Sequence, residues 1–224
     1  MIKTVIFDID GTLYDFNKAN GKALDAIGGY AEEHLGIPAA EFNAEFREEM
    51  DIYTDLVGEI ASIHNRVIRA ERYLEKKGLP LTPHVLRIAE LYWKTLLGSM
   101  EIEEGIRPFM EALKRRGYRI GIGSNMTAYV QFIKLERLGL LDLIDFVVTS
   151  EEAGYEKPSE EFFRFCLSKA GCRAGECLFI GDSLHHDVEG AERAGMHGIR
   201  YGEEGIRYPE CLQGENLVVG EFTL

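Results

Sequence analysis

Four short clusters carry residue types that could do chemistry together. The first is D-I-D-G-T-L at 8–13, where Asp8 and Asp10 follow the apolar run 2–7. Two carboxylates this close at the end of a buried strand repel each other, and Gly11 lets the chain turn sharply behind them. Such a pair calls for a compensating cation, and the hard ion Mg²⁺ prefers carboxylate oxygen. Taken alone, the motif also reads as solvated acids in a turn or as part of a calcium loop. The second cluster is G-S-N at 123–125, followed by Met126 and Thr127. The Ser124 hydroxyl, the Asn125 amide and free backbone N–H groups ahead of a helix could cradle a phosphate. Ser and Asn are also ordinary helix-start residues. The third is Lys157-Pro158, a cation that could neutralise phosphate charge or be a surface lysine in a loop. The fourth, G-D-S-L-H-H-D at 181–187, sets Asp182 directly behind an apolar run, where an unpaired charge is costly, with Asp187 across the turn.

These clusters need elements that bring them together. Residues 2–7 read as a buried strand, and strands are expected at 119–123, 146–150, 177–180 and 198–201. Helices are expected between them at 128–138, 160–170 and 188–194, stopped by Gly139, Gly171 and Gly195. Strand–helix alternation at this spacing means βαβ units and a mainly parallel sheet. All four clusters fall at the C-terminal ends of strands, where open parallel sheets bind ligands.

The stretch 16–97 lacks strand signals and reads as helical. Its apolar stripes are Ala23, Ile27, Tyr30 and Ala31; Ile60, Ile63, Val67 and Leu74; and Val85, Ile88, Ala89, Tyr92 and Leu96. Thr82 and Pro83 are suited to N-cap and first position of the last helix. The expected fold class is α/β, a Rossmann-like mainly parallel sheet flanked by helices, with an inserted all-helical domain. The expected boundaries are 1–15 and 98–224 for the core and 16–97 for the insertion.

Composition limits the partners. The 224 residues carry a net charge of −13 and no Lys/Arg-rich run, which argues against non-specific binding to nucleic acid or an anionic membrane. No apolar run approaches the ~20 residues of a membrane span, and no signal peptide is visible at the start. Cys166, Cys172, Cys177 and Cys211 show no C-x-x-C spacing and read as free thiols of a cytoplasmic protein.

Together the clusters resemble the haloacid dehalogenase superfamily. D-I-D-G-T-L looks like its first motif, Ser124 its second, Lys157-Pro158 its third, and G-D-S with Asp187 its fourth, in the family's order. Glu151, Glu152 and Gly154 ahead of Lys157 also look typical, and the insertion is similar to the family's helical type-one cap. The resemblance implies that Asp8 attacks phosphorus and forms a phosphoaspartyl intermediate. It implies that Asp10 is acid and then base, and that Ser124, Lys157, Asn125 and Thr12 lie on the phosphoryl side. It implies a Mg²⁺ cofactor on Asp8, Asp182 and the backbone carbonyl of Asp10, with Asp187 supporting the metal through water. An anionic nucleophile attacking an anionic phosphate needs this charge neutralisation.

The implied activity is hydrolysis of a small phosphomonoester, with a nucleoside 5′-monophosphate as the leading specific substrate. A phosphomutase shares these motifs. A 2-haloacid dehalogenase lacks the second carboxylate, which Asp10 supplies here. A non-catalytic binding protein would not need every position filled. His185 and His186 depart from the common Asn before the last acid and read as loop residues tuning the rim. In the insertion, His64, Arg66, Arg69, Tyr53 and Trp93 are possible contacts to the leaving group. The reading preferred from sequence is a solvated cationic face for the arginines and packing for the aromatics.

Overall fold

A computed structural model describes residues 1–213 and 216–224. The chain opens with β1 (Thr4–Phe7), whose four residues are all buried. β-Branched and aromatic side chains with no polar alternation suit a strand covered on both faces. The chain then enters a helical unit of four helices: α1 (Phe16–Leu35), α2 (Ala39–Val57), α3 (Arg66–Lys76) and α4 (His84–Ser99). It returns through α5 (Ile106–Arg115), β2 (Arg119–Ser124), α6 (Ala128–Arg137), β3 (Phe146–Thr149), α7 (Ser150–Ala153), α8 (Glu160–Ala170) and β4 (Cys177–Gly181). A π-helical turn, Leu184–Glu189, leads into α9 (Gly190–Arg193) and β5 (His197–Arg200). The chain ends with α10 (Tyr208–Cys211) and the short strands β6 (Leu212–Gln213), β7 (Asn216–Val219) and β8 (Phe222–Thr223), which form an antiparallel sheet in the order β6-β7-β8.

The main sheet is parallel, in the order β3-β2-β1-β4-β5. β1 is central, with Phe7 level with Ile122 on β2 and Ile180 on β4. Strand order reverses between β1 and β4, which makes that gap the topological switch point. One face is packed by Phe162, Phe163 and Cys166 of α8 against Ile6, Val148 and Phe179. Each buried phenylalanine contributes ~1.5–3 kcal/mol relative to exposure.

The chain divides into two compact units, Met1–Asp15 with Glu101–Leu224, and Phe16–Met100. In the second, α1 packs on α2 and α4, and α3 packs on α2 and α4. The buried residues of α1 include Ala23, Ile27 and Ala31, and those of α4 are Ile88, Ala89, Tyr92 and Leu96.

Three local expectations are corrected. Ile60 and Val67 do not join Ile63 and Leu74 in one buried stripe; both are exposed, because residues 61–64 form a separate 3₁₀ turn that breaks the period. The buried residues of α3 are instead Arg66, Arg69, Ala70, Tyr73 and Leu74. The last helix of the unit starts at His84, with Pro83 in the N-cap position and no side-chain cap there. The helix expected at 188–194 is split, because the Ser183 side chain accepts from the His186 N–H and opens the π-turn first.

Candidate active site

The switch point gathers four strand ends. Asp8 follows β1, and its N–H donates to the carbonyl of Ile180 (2.9 Å), which ties it to β4. Asp182 follows β4, and its N–H donates to Thr12 Oγ1 (3.0 Å). The buried Thr12 side chain thus joins the loop after β1 to the loop after β4. Two glycines make room for the acids. A Cβ on Gly11, which has φ +84°, would lie 2.4 Å from an Asp182 oxygen, and one on Gly181 would lie 2.3 Å from the Asp187 carboxyl.

Asp8, Asp182 and Asp187 each offer an oxygen within 4.8 Å of the others. Lys157 Nζ donates to both Asp8 Oδ1 and Asp187 Oδ1, at 2.6 Å each, and all three of these residues are buried. Three carboxylates therefore face one ammonium. Burial raises the Asp8 carboxyl, Lys157 pulls it back, and Asp187 and Asp10 add to the rise; the balance lies at about 7. Asp182 is raised by burial and by Asp187. Burial alone would lower Lys157, but Asp187 and Asp8 outweigh it and hold the ammonium protonated. An all-oxygen set with surplus negative charge is the donor chemistry of a hard divalent cation, so these residues fit Mg²⁺.

Asp10 lies outside this three-acid cluster. Its two carboxylate oxygens each accept from Lys134 Nζ at 2.7 Å, and Oδ1 also accepts from the Tyr14 hydroxyl. Burial would raise Asp10, but Lys134, Tyr14 and Gln131 outweigh it and hold it below the usual carboxylate range. Ser124 ends β2, buried, and its hydroxyl accepts from Gln131 Nε2 (2.8 Å). The next residue but one, Met126, takes φ +148° and is held by a bond from its N–H to Ser150 Oγ.

Asn125 is engaged with the main chain of Lys157. Its Oδ1 accepts from the Lys157 N–H (2.8 Å) and its Nδ2 donates to the Lys157 carbonyl (3.2 Å). Both ends of its amide therefore position Lys157. His185 and His186 are exposed, beside Glu189 Oε2 and Ser183 Oγ respectively.

Lys134 and Gln131 were not singled out from the sequence. The available signal was two polar residues at i and i+3 on the helix face whose other buried members are Leu135 and Leu138. Tyr14 was likewise passed over as the residue after the first motif.

Comparison with known proteins agrees with this geometry. The profile of the haloacid dehalogenase-like hydrolases matches residues 2–195. The chain belongs to that family. It is 36% identical over 208 residues to a ribulose-1,5-bisphosphate 5-phosphatase of Halopiger xanaduensis, covering 90% of this chain and 85% of the relative. It is 31% identical over 216 residues to a glyceraldehyde 3-phosphate phosphatase of Methanothermobacter thermautotrophicus, covering 91% and 87%. The crystal structure of a 2-haloacid dehalogenase from Pseudomonas syringae superposes with a TM-score of 0.70 at 26% identity, covering 90% and 86%. Within the family the chain is an enzyme of the phosphatase type. No helix among the described residues is long and apolar enough to cross a membrane.

Proposed function

We propose that this protein is a Mg²⁺-dependent phosphomonoesterase that works through a phosphoaspartyl intermediate on Asp8. The observation that carries this reading is the separation of two acidic environments at one switch point. Asp8 sits with Asp182, Asp187 and Lys157, and Asp10 sits apart with Lys134 and Tyr14. The two carboxyls are shifted in opposite directions, Asp8 up and Asp10 down, and a divalent cation held by Asp8, Asp182 and Asp187 would bring Asp8 back to the ionised form a nucleophile needs.

Asp8, Asp182 and Asp187 would hold Mg²⁺ together with the Asp10 carbonyl, and the bound ion would neutralise charge on the phosphoryl group. Asp8 Oδ attacks phosphorus, forming the aspartyl–phosphate bond as the ester oxygen leaves. Lys157 Nζ and the Ser124 hydroxyl hold phosphoryl oxygens, with Asn125 fixing the Lys157 backbone and Thr12 the Asp182 backbone. Asp10 gives its proton to the leaving oxygen in the first displacement and takes one from water in the second. Lys134 favours the ionised form that the second step needs. An arriving dianionic phosphate favours the protonated form that the first step needs. The unit Phe16–Met100 serves as the cap that selects substrate.

The substrate class we infer is a small phosphorylated metabolite. The relatives named for ribulose-1,5-bisphosphate and glyceraldehyde 3-phosphate support a short phosphosugar ahead of a nucleoside 5′-monophosphate. Free Cys166, Cys172, Cys177 and Cys211 support a reducing, cytoplasmic location.

The test is a panel of sugar phosphates, nucleoside monophosphates and an aryl phosphate, run with Mg²⁺ and with a chelator. It is paired with acid-quench intact-mass analysis of Asp8→Asn and Asp10→Asn. Chelation should abolish turnover and Mg²⁺ restore it. Asp8→Asn should form no adduct, whereas Asp10→Asn should accumulate phosphate on Asp8. Activity in Asp8→Asn, or an adduct on Ser124 or a histidine, would overturn the mechanism.

A further inference from the structure

Two cysteines meet at the end of the main sheet opposite the acids. α8 ends at Ala170, Gly171 turns the chain with φ +67°, and a 3₁₀ turn at Ala174–Glu176 brings it back into β4. Cys172 stands before that turn, and Cys177 after it as the first residue of β4. Their sulfurs lie 3.2 Å apart. The spacing C-x₄-C carries no signal on paper, and it is the turn that closes it.

The backbone fixes both thiols. The Glu176 N–H donates to the Arg173 carbonyl (2.9 Å), and the Arg173 N–H donates to Glu176 Oε2 (3.0 Å). The Lys3 N–H donates to the Glu176 carbonyl (2.8 Å), which ties the turn to the segment entering β1. A held turn that sets two sulfurs side by side meets the main requirement of a disulfide, because that bond tolerates little misplacement of its two ends.

The two sulfurs differ in access. Cys172 is half-buried and lines a surface groove of about 410 Å³ together with Lys3, Arg116 and Arg119. Arg119 Nη1 donates to the Ala170 carbonyl (2.6 Å), two residues before Cys172. A partly exposed thiol among cations is the setting that favours the thiolate. Thr4 Oγ1 lies 3.4 Å from Cys172 Sγ on the other side. Cys177 is buried, and burial with Cys172 beside it raises its thiol well above the ordinary value. One sulfur is therefore open to a reagent in the groove. The other is withheld from solvent but touches the first.

We propose that Cys172 and Cys177 are a reversible oxidation site, closed into a disulfide by a hydroperoxide. The Cys172 sulfur attacks a peroxide oxygen, so that an S–O bond forms as the O–O bond breaks. With hydrogen peroxide the thiol proton ends on the released hydroxide, leaving one water and a Cys172 sulfenic acid. The Cys177 sulfur then attacks the Cys172 sulfur. The S–S bond forms, the S–O bond breaks, and the departing hydroxide takes the Cys177 proton as a second water. Two thiols give up two electrons and two protons, and the peroxide accepts them. A thiol reductant reverses the step by exchange. Asp182 lies five residues along β4 from Cys177, about 16 Å at ~3.3 Å per residue. The bond thus clamps the turn between α8 and β4 without reaching the acids.

The experiment treats the folded protein with hydrogen peroxide, removes the excess with catalase, then denatures it and alkylates the remaining thiols. Intact mass should show two of the four cysteines lost to alkylation. Trypsin cuts after Lys169, Arg173 and Arg193, so the cross-link should appear as residues 170–173 joined to 174–193, and dithiothreitol should separate them. The oxidised form should melt about 4–8 °C above the reduced one, from closing a loop of six residues, and reductant should return it. Cys172→Ser should keep its three thiols alkylatable and show no melting shift under the same treatment. Cys177→Ala should stop at the Cys172 sulfenic acid, which dimedone traps. Where a variant does not fold, the wild-type peptide map and melting shift decide. Four alkylatable thiols after peroxide, a link that maps to Cys166 or Cys211 or joins two chains, or oxidation of Cys172 to the sulfinic acid without a link overturns the proposal. So does a linked form that melts no higher than the reduced one.

Discussion

Lys134→Met tests whether the buried lysine positions Asp10. Met keeps the length of the side chain and deletes the ammonium that bonds both Asp10 oxygens at 2.7 Å. Asp10 keeps Tyr14 and Gln131. Breaking a buried pair from one side costs ~3 kcal/mol, which for a chain of this size lowers Tm by roughly 6–12 °C. The catalytic loss is separate. Acid–base assistance as a whole contributes ~10²–10⁴-fold. A carboxyl that is retained but loses its principal anchor should forfeit part of that, about 10–10²-fold in kcat on an alkyl phosphate. An aryl phosphate, whose leaving group needs no proton, should lose less. Because Lys134 holds Asp10 low, its removal should also move the acid limb of the kcat–pH profile to higher pH. The assay is steady-state kinetics on both esters across pH, at a temperature where the variant is folded, with Lys134→Arg as the charge-preserving control. Equal losses on the two esters with an unmoved acid limb would show that Lys134 supports only the fold, and the positioning argument would fail.

Two further outcomes follow from the acidic cluster. Mg²⁺ affinity, measured by titration calorimetry, should fall about tenfold per pH unit below about 7, because the metal competes with a proton on Asp8. Asp8→Asn should flatten that dependence, and a flat wild-type profile would exclude Asp8 as the group that titrates. Gly181→Ala puts a Cβ 2.3 Å from the Asp187 carboxyl, so activity should drop by ~10²-fold or more, the scale of a roughly 1 Å misplacement at a reacting centre. Circular dichroism should show the fold intact; wild-type turnover in this variant would mean Asp187 has room to move.

The alternating core was legible because its signals are local. Glycines at 139 and 171 stop helices in the structure as they do on paper, and the parallel strands are runs of buried apolar residues with no competing period. Asp8 and Asp182 were legible for the same reason, since each directly follows a strand that is buried throughout. The turn at Leu184–Glu189 was not, because a single side-chain bond from the His186 N–H to Ser183 decides between α and π winding.

What sequence alone carried is the strand–helix alternation of a mainly parallel sheet and, through the resemblance of its motifs to a known family, the candidates Asp8, Asp10, Asp182, Asp187 and Lys157, because glycine stops, apolar runs and motif order are local. What only the tertiary structure decided is who pairs with whom. Lys134 meets Asp10 across 124 positions of chain, Asn125 serves the Lys157 backbone, and Arg66 and Arg69 lie buried rather than on a solvated face. A polar residue on an otherwise apolar helix stripe looks the same on paper whether it finds a partner or not. The partner comes from a distant segment, and its distance and burial, which set the strength of every charge in the site, exist only once the chain is packed.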